Sequence, residues 1–331
     1  MQTNITVAVD AMGGDHAPQV VLDGCAAALA ADSALTIALV GPADVVEPFA
    51  AAHERCVPVP ATEIIDMGEH PANAVRRKKD SSLVVAARLV KEGAAQGFFS
   101  AGSTGACLAA ATLIVGRIKG IARPMLATIV PSPTKPVLLC DVGANADCKP
   151  SYLVQFAQMG TVYMEQVMKV RDPRVCLLNI GEEETKGSAF AQEAYAAMNS
   201  LQNFAGNGEG CDILAGAYDV FVTDGFTGNV CLKTIEGTAK TLLKEIKSVM
   251  TSSTLNKIGA AILQKDVRTL AARLSADTYG GAPLLGVKGA CLVGHGSSNA
   301  TAIENGIAFT ADVARRDVPG QIASAIAGSV A

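Results

Sequence analysis

The chain has 331 residues, of which 50% are hydrophobic, and this is enough to bury a substantial core. A formal net charge of −4, an aromatic content of 4% and the lack of tryptophan argue against a nucleic-acid binder, because such proteins need a basic face and stacking rings. Nine cysteines without a short CxxC spacing indicate neither zinc nor a redox dithiol, and free thiols in a reducing compartment explain them.

Short apolar runs alternate with helical patterns along the chain. The first run, Ile5 to Val9, precedes a helical pattern, and the same order of strand and helix then recurs. Further helices are predicted from Ser82 and over Leu153 to Val167. Further strands are predicted at residues 35–40, 62–65, 137–140, 175–179, 219–223 and 290–293, with Phe98 and Phe99 before another turn.

Continuous apolar runs suit strands that are buried on both faces of a largely parallel sheet. We therefore predict an α/β fold, a three-layer α/β/α sandwich with a mixed, largely parallel sheet. No low-complexity linker or internal repeat divides the chain, so residues 1–331 are expected to form a single domain. In such folds ligands bind beyond the carboxyl ends of strands, where turns and helix N-termini present backbone N–H groups.

The first glycine-rich turn, Asp10-Ala-Met-Gly-Gly-Asp-His-Ala-Pro18, ends a predicted strand and begins a helix. Gly13 and Gly14 allow close backbone approach there. These residues support a capped structural turn and an anion site about equally. His16 favours the functional interpretation, as a phosphate contact or proton carrier, although a single histidine at a helix start is more often a satisfied polar residue.

Two later turns have the same order of strand, small residues and helix. In Ser100 to Ala106, the donors of Ser103, Thr104 and Gly105 are suited to an anion at a helix N-terminus. Neither this turn nor the first has the G-K-[ST] or G-x-G-x-x-G pattern, so no nucleotide cofactor is expected. In the third turn, Asp141 to Asp147, two carboxylates without a third ligand favour capping over a metal site, and we expect no metal.

Two segments are basic. The run Arg76, Arg77, Lys78 and Lys79 is either a solvated loop or a docking surface for an acidic partner. Between residues 240 and 273, seven lysines or arginines against two acids give a charge of +5, and Leu255, Ile258 and Ile262 form an apolar helical stripe. This basic amphipathic segment either lies on an anionic membrane surface or forms a solvated hairpin or dimer contact.

The remaining features concern location. The first ten residues lack the basic start and apolar core of a signal peptide, so a cytoplasmic protein is expected. The longest apolar run, Ala106 to Val115, is shorter than the roughly 20 residues that span a bilayer, so no transmembrane segment is expected.

Several motifs in one order resemble the phosphate acyltransferase family of bacterial phospholipid synthesis, which makes acyl phosphate from acyl-acyl-carrier-protein and inorganic phosphate. They are D-A-M-G-G-D-H-A-P at 10–18, R-R-K-K-D-S-S at 76–82, S-A-G-S-T-G-A at 100–106, D-V-G-A-N at 141–145, K-P at 149–150, L-L-N-I-G-E-E at 177–183, K-G at 186–187, T-D-G-F-T-G-N at 223–229, Y-G-G-A at 279–282 and H-G-S-S at 295–298. Ser103 stands where asparagine is common, and Glu209-Gly-Cys-Asp212 where Glu-Ala-Arg-Asp is usual.

The resemblance implies a fold like those of isocitrate and isopropylmalate dehydrogenases and phosphotransacetylases, with two intertwined lobes in one mixed sheet and a homodimer. It implies that Lys186 and Asn229 are needed for activity, with His16 in reserve as a proton donor to the leaving thiolate. It also implies phosphate or substrate contacts in the matched turns, at Asp10, Gly13, Gly14, Ser103, Thr104, Gly105, Asn145, Asp224, Gly225, Thr227, His295 and Ser297. Peripheral attachment to an anionic membrane follows because the product is a lipid intermediate.

Without the resemblance, Lys186 would be interpreted as a surface lysine and Asn229 as a helix cap. Two other functions therefore remain open. A short-chain phosphotransacetylase-like enzyme would use acyl-CoA in the same architecture. A noncatalytic acyl-binding or membrane-scaffold protein would need the basic segment but neither Lys186 nor Asn229.

Overall fold

The computed structural model describes residues 3–273 and 280–328, which leaves Tyr279 of the Y-G-G-A motif outside the described part. Within it one sheet contains 11 strands. In chain order they are β1 (Ile5–Asp10), β2 (Leu35–Gly41), β3 (Cys56–Pro60), β4 (Gly97–Ser100), β5 (Met125–Val130), β6 (Val137–Cys140), β7 (Val175–Leu178), β8 (Phe204–Gly208), β9 (Val220–Val222), β10 (Ala282–Leu285) and β11 (Ala290–Val293).

The helices occupy most of the connections between strands. They are α1 (Gln19–Ala31), α2 (Ala43–Ala51), α3 (Pro71–Arg77), α4 (Ser82–Lys91), α5 (Thr104–Ala110, continued by a π-helical turn, Ala111–Val115), α6 (Pro150–Gln166), α7 (Ala189–Met198), α8 (Gly210–Ala215), α9 (Gly225–Thr251), α10 (Thr254–Arg273), α11 (Ala300–Arg315) and α12 (Val318–Gly328).

The strand order is β3-β2-β1-β4-β11-β10-β5-β6-β9-β7-β8. Strands β1 to β4 and β11 pair in parallel, as do β6, β9, β7 and β8. Antiparallel pairings of β11 with β10, β10 with β5 and β5 with β6 join the two groups. The sheet is thus mixed and largely parallel, as predicted, and its two parallel groups run in opposite directions.

Alternating side chains place a hydrophobic core on each face of the sheet. In β2, Ile37 and Leu39 belong to one core, together with residues of α1, α6, α11 and α12. Ala38 and Val40 of the same strand belong to the other core, with residues of α4 and α5. The period-2 alternation of a strand therefore produces the predicted three layers.

One predicted strand is wrong. Residues 62–65 form a loop, in which the N–H groups of Thr62 and Glu63 both donate to the carbonyl of Asp80. The strand beside it is β3, which contains Pro58 and Pro60 and lies at the edge of the sheet. Proline lacks an N–H group, so the two prolines argued against a strand in the sequence. Proline is tolerated at a sheet edge, and β3 occupies that position. Strands β5, β8 and β10 were also not predicted.

Helices α9 and α10 contain the basic segment 240–273. In α9, which has 27 residues, the buried positions are Gly225 and Gly228 in its first turn, and the rest of the helix is half-buried or exposed. The side chains of Arg268 and Arg273 lie outside the described part. In the described ranges, 3–273 and 280–328, no helix combines the length and apolar character that crossing a membrane requires.

Candidate active site

A cavity of about 430 Å³ lies where the two groups of strands meet. Its walls come from the start of α5, strand β5, the loop after β6, the first turns of α9, strand β10 and the loop after β11. The described lining residues are Thr104, Gly105, Leu108, Leu126, Thr128, Ile129, Val142, Gly143, Ala144, Asn229, Leu232, Lys233, Glu236, Gly280, Gly281, Ala282, Leu284, Val293, Gly294, His295, Ser297, Ser298 and Ala302.

The cavity combines loops that a flat sheet would keep apart. The two groups of strands run in opposite directions, so the carboxyl ends of β4 and β11 lie at one end of the strands and those of β6 and β9 lie at the other end. Residues that follow β4 and β11 and residues that follow β6 and β9 all line the cavity, so both groups of strands contribute to the site.

The first glycine-rich turn supports the wall formed by α5 and the loop after β11. Asp10 is buried and accepts a hydrogen bond from Ser100 Oγ at 2.7 Å. Burial raises the pKa of this carboxyl, and its hydrogen bonds oppose the rise. The backbone at Gly14 has φ +112°, and a Cβ there would meet the carbonyl of Gly296 at 3.2 Å. This turn thus binds two other loops together, and Asp10, Gly13 and Gly14 are not among the described lining residues.

The start of α5 and the loop after β11 contribute four predicted residues directly to the cavity, which are Thr104, Gly105, His295 and Ser297. The backbone N–H of Ser297 donates to Nδ1 of His295 at 3.3 Å, and Ser297 Oγ lies 2.9 Å from the same nitrogen. Because a backbone N–H can only donate, Nδ1 accepts, and the proton of the neutral ring is on Nε2. His295 thus offers an N–H donor from the other side of its ring. Ser103 precedes α5 and does not line the cavity in the described part.

The loop after β6 is folded around the buried carboxylate of Asp141. Its oxygens accept from the backbone N–H groups of Leu126, Gly143, Ala144 and Asn145 and from Nδ2 of Asn145, at 2.7 to 3.2 Å. Burial raises the pKa of the Asp141 carboxyl, and these hydrogen bonds oppose the rise. Asn145 also donates from Nδ2 to the carbonyl of Pro124 at 2.8 Å. Both side chains therefore shape the loop, and the described residues contain no group of three side chains suited to a metal ion.

Helix α9 begins directly against this loop. Asp224 caps the helix by accepting from the N–H and hydroxyl of Thr227, each at 2.8 Å. A Cβ on Gly225 would lie 2.6 Å from the carbonyl of Asn145, and one on Gly228 would lie 2.0 Å from that of Asp141. Only glycine permits this approach, so the cap and the two glycines fix where the helix begins.

Asn229 follows Gly228 and lines the cavity. Its Nδ2 donates to the carbonyl of Val142 at 3.0 Å, which anchors the amide to the loop after β6. An amide nitrogen carries two hydrogens, so one donor remains for a ligand. The interpretation of Asn229 as a mere helix cap is wrong, because Asp224 caps α9.

Two of the residues predicted to be catalytic, Lys186 and His16, also do not line the cavity in the described part. Lys186 is on the loop after β7, its side chain is 48% exposed, and its Nζ is 3.9 Å from a carboxylate oxygen of Glu183. Because β7 pairs in parallel with β9, the loop after β7 and the start of α9 lie at the same end of the strands. His16 is exposed in the first turn. Neither residue is among those described as lining the cavity.

The sequence did not indicate Lys233 and Glu236, which line the cavity beside Asn229. The three positions follow the spacing i, i+4 and i+7 on α9, so they share one helix face. The spacing was visible in the sequence, but the direction of that face depends on how α9 packs. Apolar lining residues Leu108, Leu126, Leu232, Leu284 and Val293 were not assigned to a site either.

Known proteins match the chain over nearly its full length. A family model described as "Fatty acid synthesis protein" matches residues 5–321. The phosphate acyltransferase of Clostridium perfringens is 47% identical over 326 residues, which cover 97% of this chain and 96% of the relative. The phosphate acyltransferase of Heliobacterium modesticaldum is 49% identical with the same coverage.

A solved phosphotransacetylase from Streptococcus pyogenes is similar in structure, with a TM-score of 0.61, 17% identity and coverage of 94% of each chain. At this identity the likeness shows a shared fold. The family model and the two relatives confirm the resemblance that the motifs predicted. This chain is therefore an enzyme that belongs to the phosphate acyltransferase family of fatty acid synthesis proteins.

Proposed function

We propose that the enzyme transfers a long-chain acyl group from acyl-acyl-carrier-protein to inorganic phosphate. One observation carries this proposal, namely that a single cavity of about 430 Å³ has both apolar walls and hydrogen-bonding groups. The apolar side chains suit an acyl chain, and the polar groups suit a thioester carbonyl and a phosphate. The polar lining groups are Thr104, Thr128, Asn229, Lys233, Glu236, His295, Ser297 and Ser298.

In the proposed reaction an oxygen of hydrogen phosphate attacks the thioester carbonyl directly. The new C–O bond forms, the tetrahedral intermediate collapses, and the C–S bond breaks. The proton of hydrogen phosphate ends on the departing sulfur, so hydrogen phosphate and thioester become acyl phosphate and free thiol. A substantial fraction of inorganic phosphate is the dianion near neutral pH, so a strong base is unnecessary. Positioning and charge stabilisation therefore supply the catalysis.

Asn229 and Lys186 remain our candidates for that stabilisation. The second amide hydrogen of Asn229 donates to the oxyanion of the intermediate or to phosphate, while the first holds the side chain on Val142. Lys186 balances the negative charge from the neighbouring loop. The proton reaches the leaving thiolate through a histidine, with His16 the sequence candidate and His295 the residue that lines the cavity.

The basic run 76–79 is the proposed docking surface for the acidic carrier protein. It includes the end of α3, and a Cβ on Gly105 would lie 2.6 Å from Pro71 of that helix, so α3 is directly behind the cavity wall. Arg76, Arg77 and Lys79 are exposed, whereas Lys78 forms an ion pair with Glu69. Three exposed cations on this segment suit an anionic partner that must deliver its thioester to the cavity.

We also propose a cytoplasmic homodimer that contacts an anionic membrane through α10. Leu255, Ile258 and Ile262 of that helix are 78%, 59% and 77% exposed, and Lys257 lies among them. An exposed apolar stripe with neighbouring cations is suited to the boundary between lipid headgroups and acyl chains. Size-exclusion chromatography with light scattering tests the dimer, and a monomer at all concentrations would contradict it.

The decisive experiment measures release of the carrier-protein thiol with and without phosphate. We expect release from long-chain acyl-acyl-carrier-protein that depends on phosphate and produces acyl phosphate in equal amount. Activity with acetyl-CoA alone would indicate the short-chain alternative, and no release with either donor would indicate a noncatalytic protein. Asn229→Ala and Lys186→Ala are expected to abolish turnover in a folded chain, and normal turnover in both would refute their assignment.

A further inference from the structure

Lys233 and Glu236 are the two formally charged side chains among the described lining residues. Nζ of Lys233 lies 2.8 Å from Oε2 of Glu236, and the two side chains are 50% and 37% exposed. Both are accessible from the cavity, and both lie on the helix face of Asn229. The neutral pair therefore stands beside the amide that the proposed reaction uses.

We propose that Lys233 binds the phosphate substrate and that Glu236 is a positioning residue for its ammonium group. The inference rests on the proposed function, since it assigns the phosphate end of the same cavity. An ammonium group has three N–H donors. One is used by Glu236, which leaves two for phosphate oxygens while the carboxylate holds the lysine in place.

Charge considerations favour this assignment. Phosphate enters as a dianion, and an unpaired anion is strongly disfavoured beside apolar walls such as Leu232 and Leu284. In the described lining, Lys233 is the formal cation that can offset this cost, because its ammonium keeps two N–H donors for phosphate beyond the one bonded to Glu236. Lys186 is on another loop and can add to the field, but it does not line the described cavity.

The position on α9 adds precision to this contact. Gly225 and Gly228 lock the first turn of the helix against the loop after β6, and Asn229 is bonded to Val142. Lys233 is one helical turn beyond Asn229, so the same anchoring fixes its backbone. A long lysine side chain would otherwise be free to rotate, and the bond to Glu236 restricts it.

The alternative is an ordinary surface ion pair between positions i and i+3, which stabilises the helix slightly and contacts no ligand. The two interpretations differ in phosphate affinity. A charge-assisted hydrogen bond to phosphate predicts a loss of roughly 10- to 100-fold when the ammonium is removed. An ordinary surface pair predicts no change.

The test measures phosphate binding to the intact protein by calorimetry, and KM for phosphate and for the acyl donor by thiol release. Lys233→Met should raise the Kd and KM for phosphate at least about 10-fold and leave the KM for the acyl donor within about twofold. Lys233→Arg should restore most of the affinity. Lys240→Met is the matched control, because this lysine lies seven residues further along α9 and does not line the described cavity.

Glu236→Gln separates positioning from structural support. Glutamine keeps an oxygen that accepts from the ammonium but lacks the charge that holds it, so KM for phosphate should rise several-fold, less than in Lys233→Met, while KM for the acyl donor stays unchanged. If Glu236 only supports the fold, Glu236→Gln should lower the free energy of unfolding and leave KM for phosphate unchanged. Unchanged phosphate affinity in Lys233→Met, with a working wild type, would overturn this inference alone. A wild type that neither binds phosphate nor releases thiol would overturn the proposed function as well.

Discussion

Gly228 is the position at which one added methyl group should push the start of α9 away from the loop after β6. A Cβ at this position would lie 2.0 Å from the carbonyl oxygen of Asp141, and because ordinary contact begins at 3.4 Å, the start of α9 must move by about 1.4 Å. The bond from Asn229 Nδ2 to the Val142 carbonyl, now 3.0 Å, would then exceed hydrogen-bond range.

We expect Gly228→Ala to lower kcat/KM for phosphate-dependent thiol release roughly 100-fold, the usual effect of a displacement of about 1 Å at a reacting group. Overpacking should also lower the free energy of unfolding by about 1–3 kcal/mol, measured in urea, which leaves the chain folded.

The matched control is Gly237→Ala on the same helix, where an added Cβ meets no atom within 4 Å. There the better helix propensity of alanine should stabilise the protein by up to about 1 kcal/mol without loss of activity. Wild-type turnover and stability in Gly228→Ala would refute the reasoning, because they would mean that the contact between α9 and the Asp141 loop is not tight.

Three further predictions concern the buried acid, the docking surface and the membrane. Burial raises the pKa of Asp10 in the folded chain above its ordinary value of 3.8. As pH rises, Asp10 therefore ionises first in the unfolded chain, and stability is lost between pH 3.8 and the pKa of the folded state. In Asp10→Asn the free energy of unfolding should therefore fall less than in the wild type from about pH 4 upward, and parallel curves in urea titrations would contradict this. Replacing Arg76 and Arg77 together by Glu should raise the KM for acyl-acyl-carrier-protein several-fold and leave that for phosphate unchanged, as measured by initial rates; equal effects on both would argue against docking. Replacing Leu255 and Ile258 together by Glu should reduce sedimentation with anionic liposomes, and binding equal to the wild type would count against membrane contact by α10.

Local patterns in the sequence were enough to predict most of the parallel strands. Runs such as residues 137–140 and 290–293 are apolar throughout, because strands covered by helices on both faces have no solvent side. The strand β3 was not predicted, because its two prolines argue against a strand except at an edge. Edge positions are set by the pairing of distant segments, which no local pattern contains.

The site was predicted in part. Thr104, Gly105, Asn229 and two residues after β11 line the cavity, whereas other residues of the same motifs serve the structure beneath it. Asp224 and Thr227 cap α9, and Asp10 bonds to Ser100. A motif marks a segment that the site needs, but it does not separate the side chains that face a ligand from those that hold the loop.

The sequence by itself determined the family, the α/β architecture and the glycine-rich turns, because each motif, apolar run and turn is formed by residues close together in the chain. Only the tertiary structure decided that the segments after β4, β6, β9 and β11 line one cavity. It also decided that α9 presents Asn229, Lys233 and Glu236 to that cavity. The direction of a helix face is fixed by the contacts at its first turn, and here those contacts are made by Gly225 and Gly228 with a loop at least 80 residues earlier in the chain.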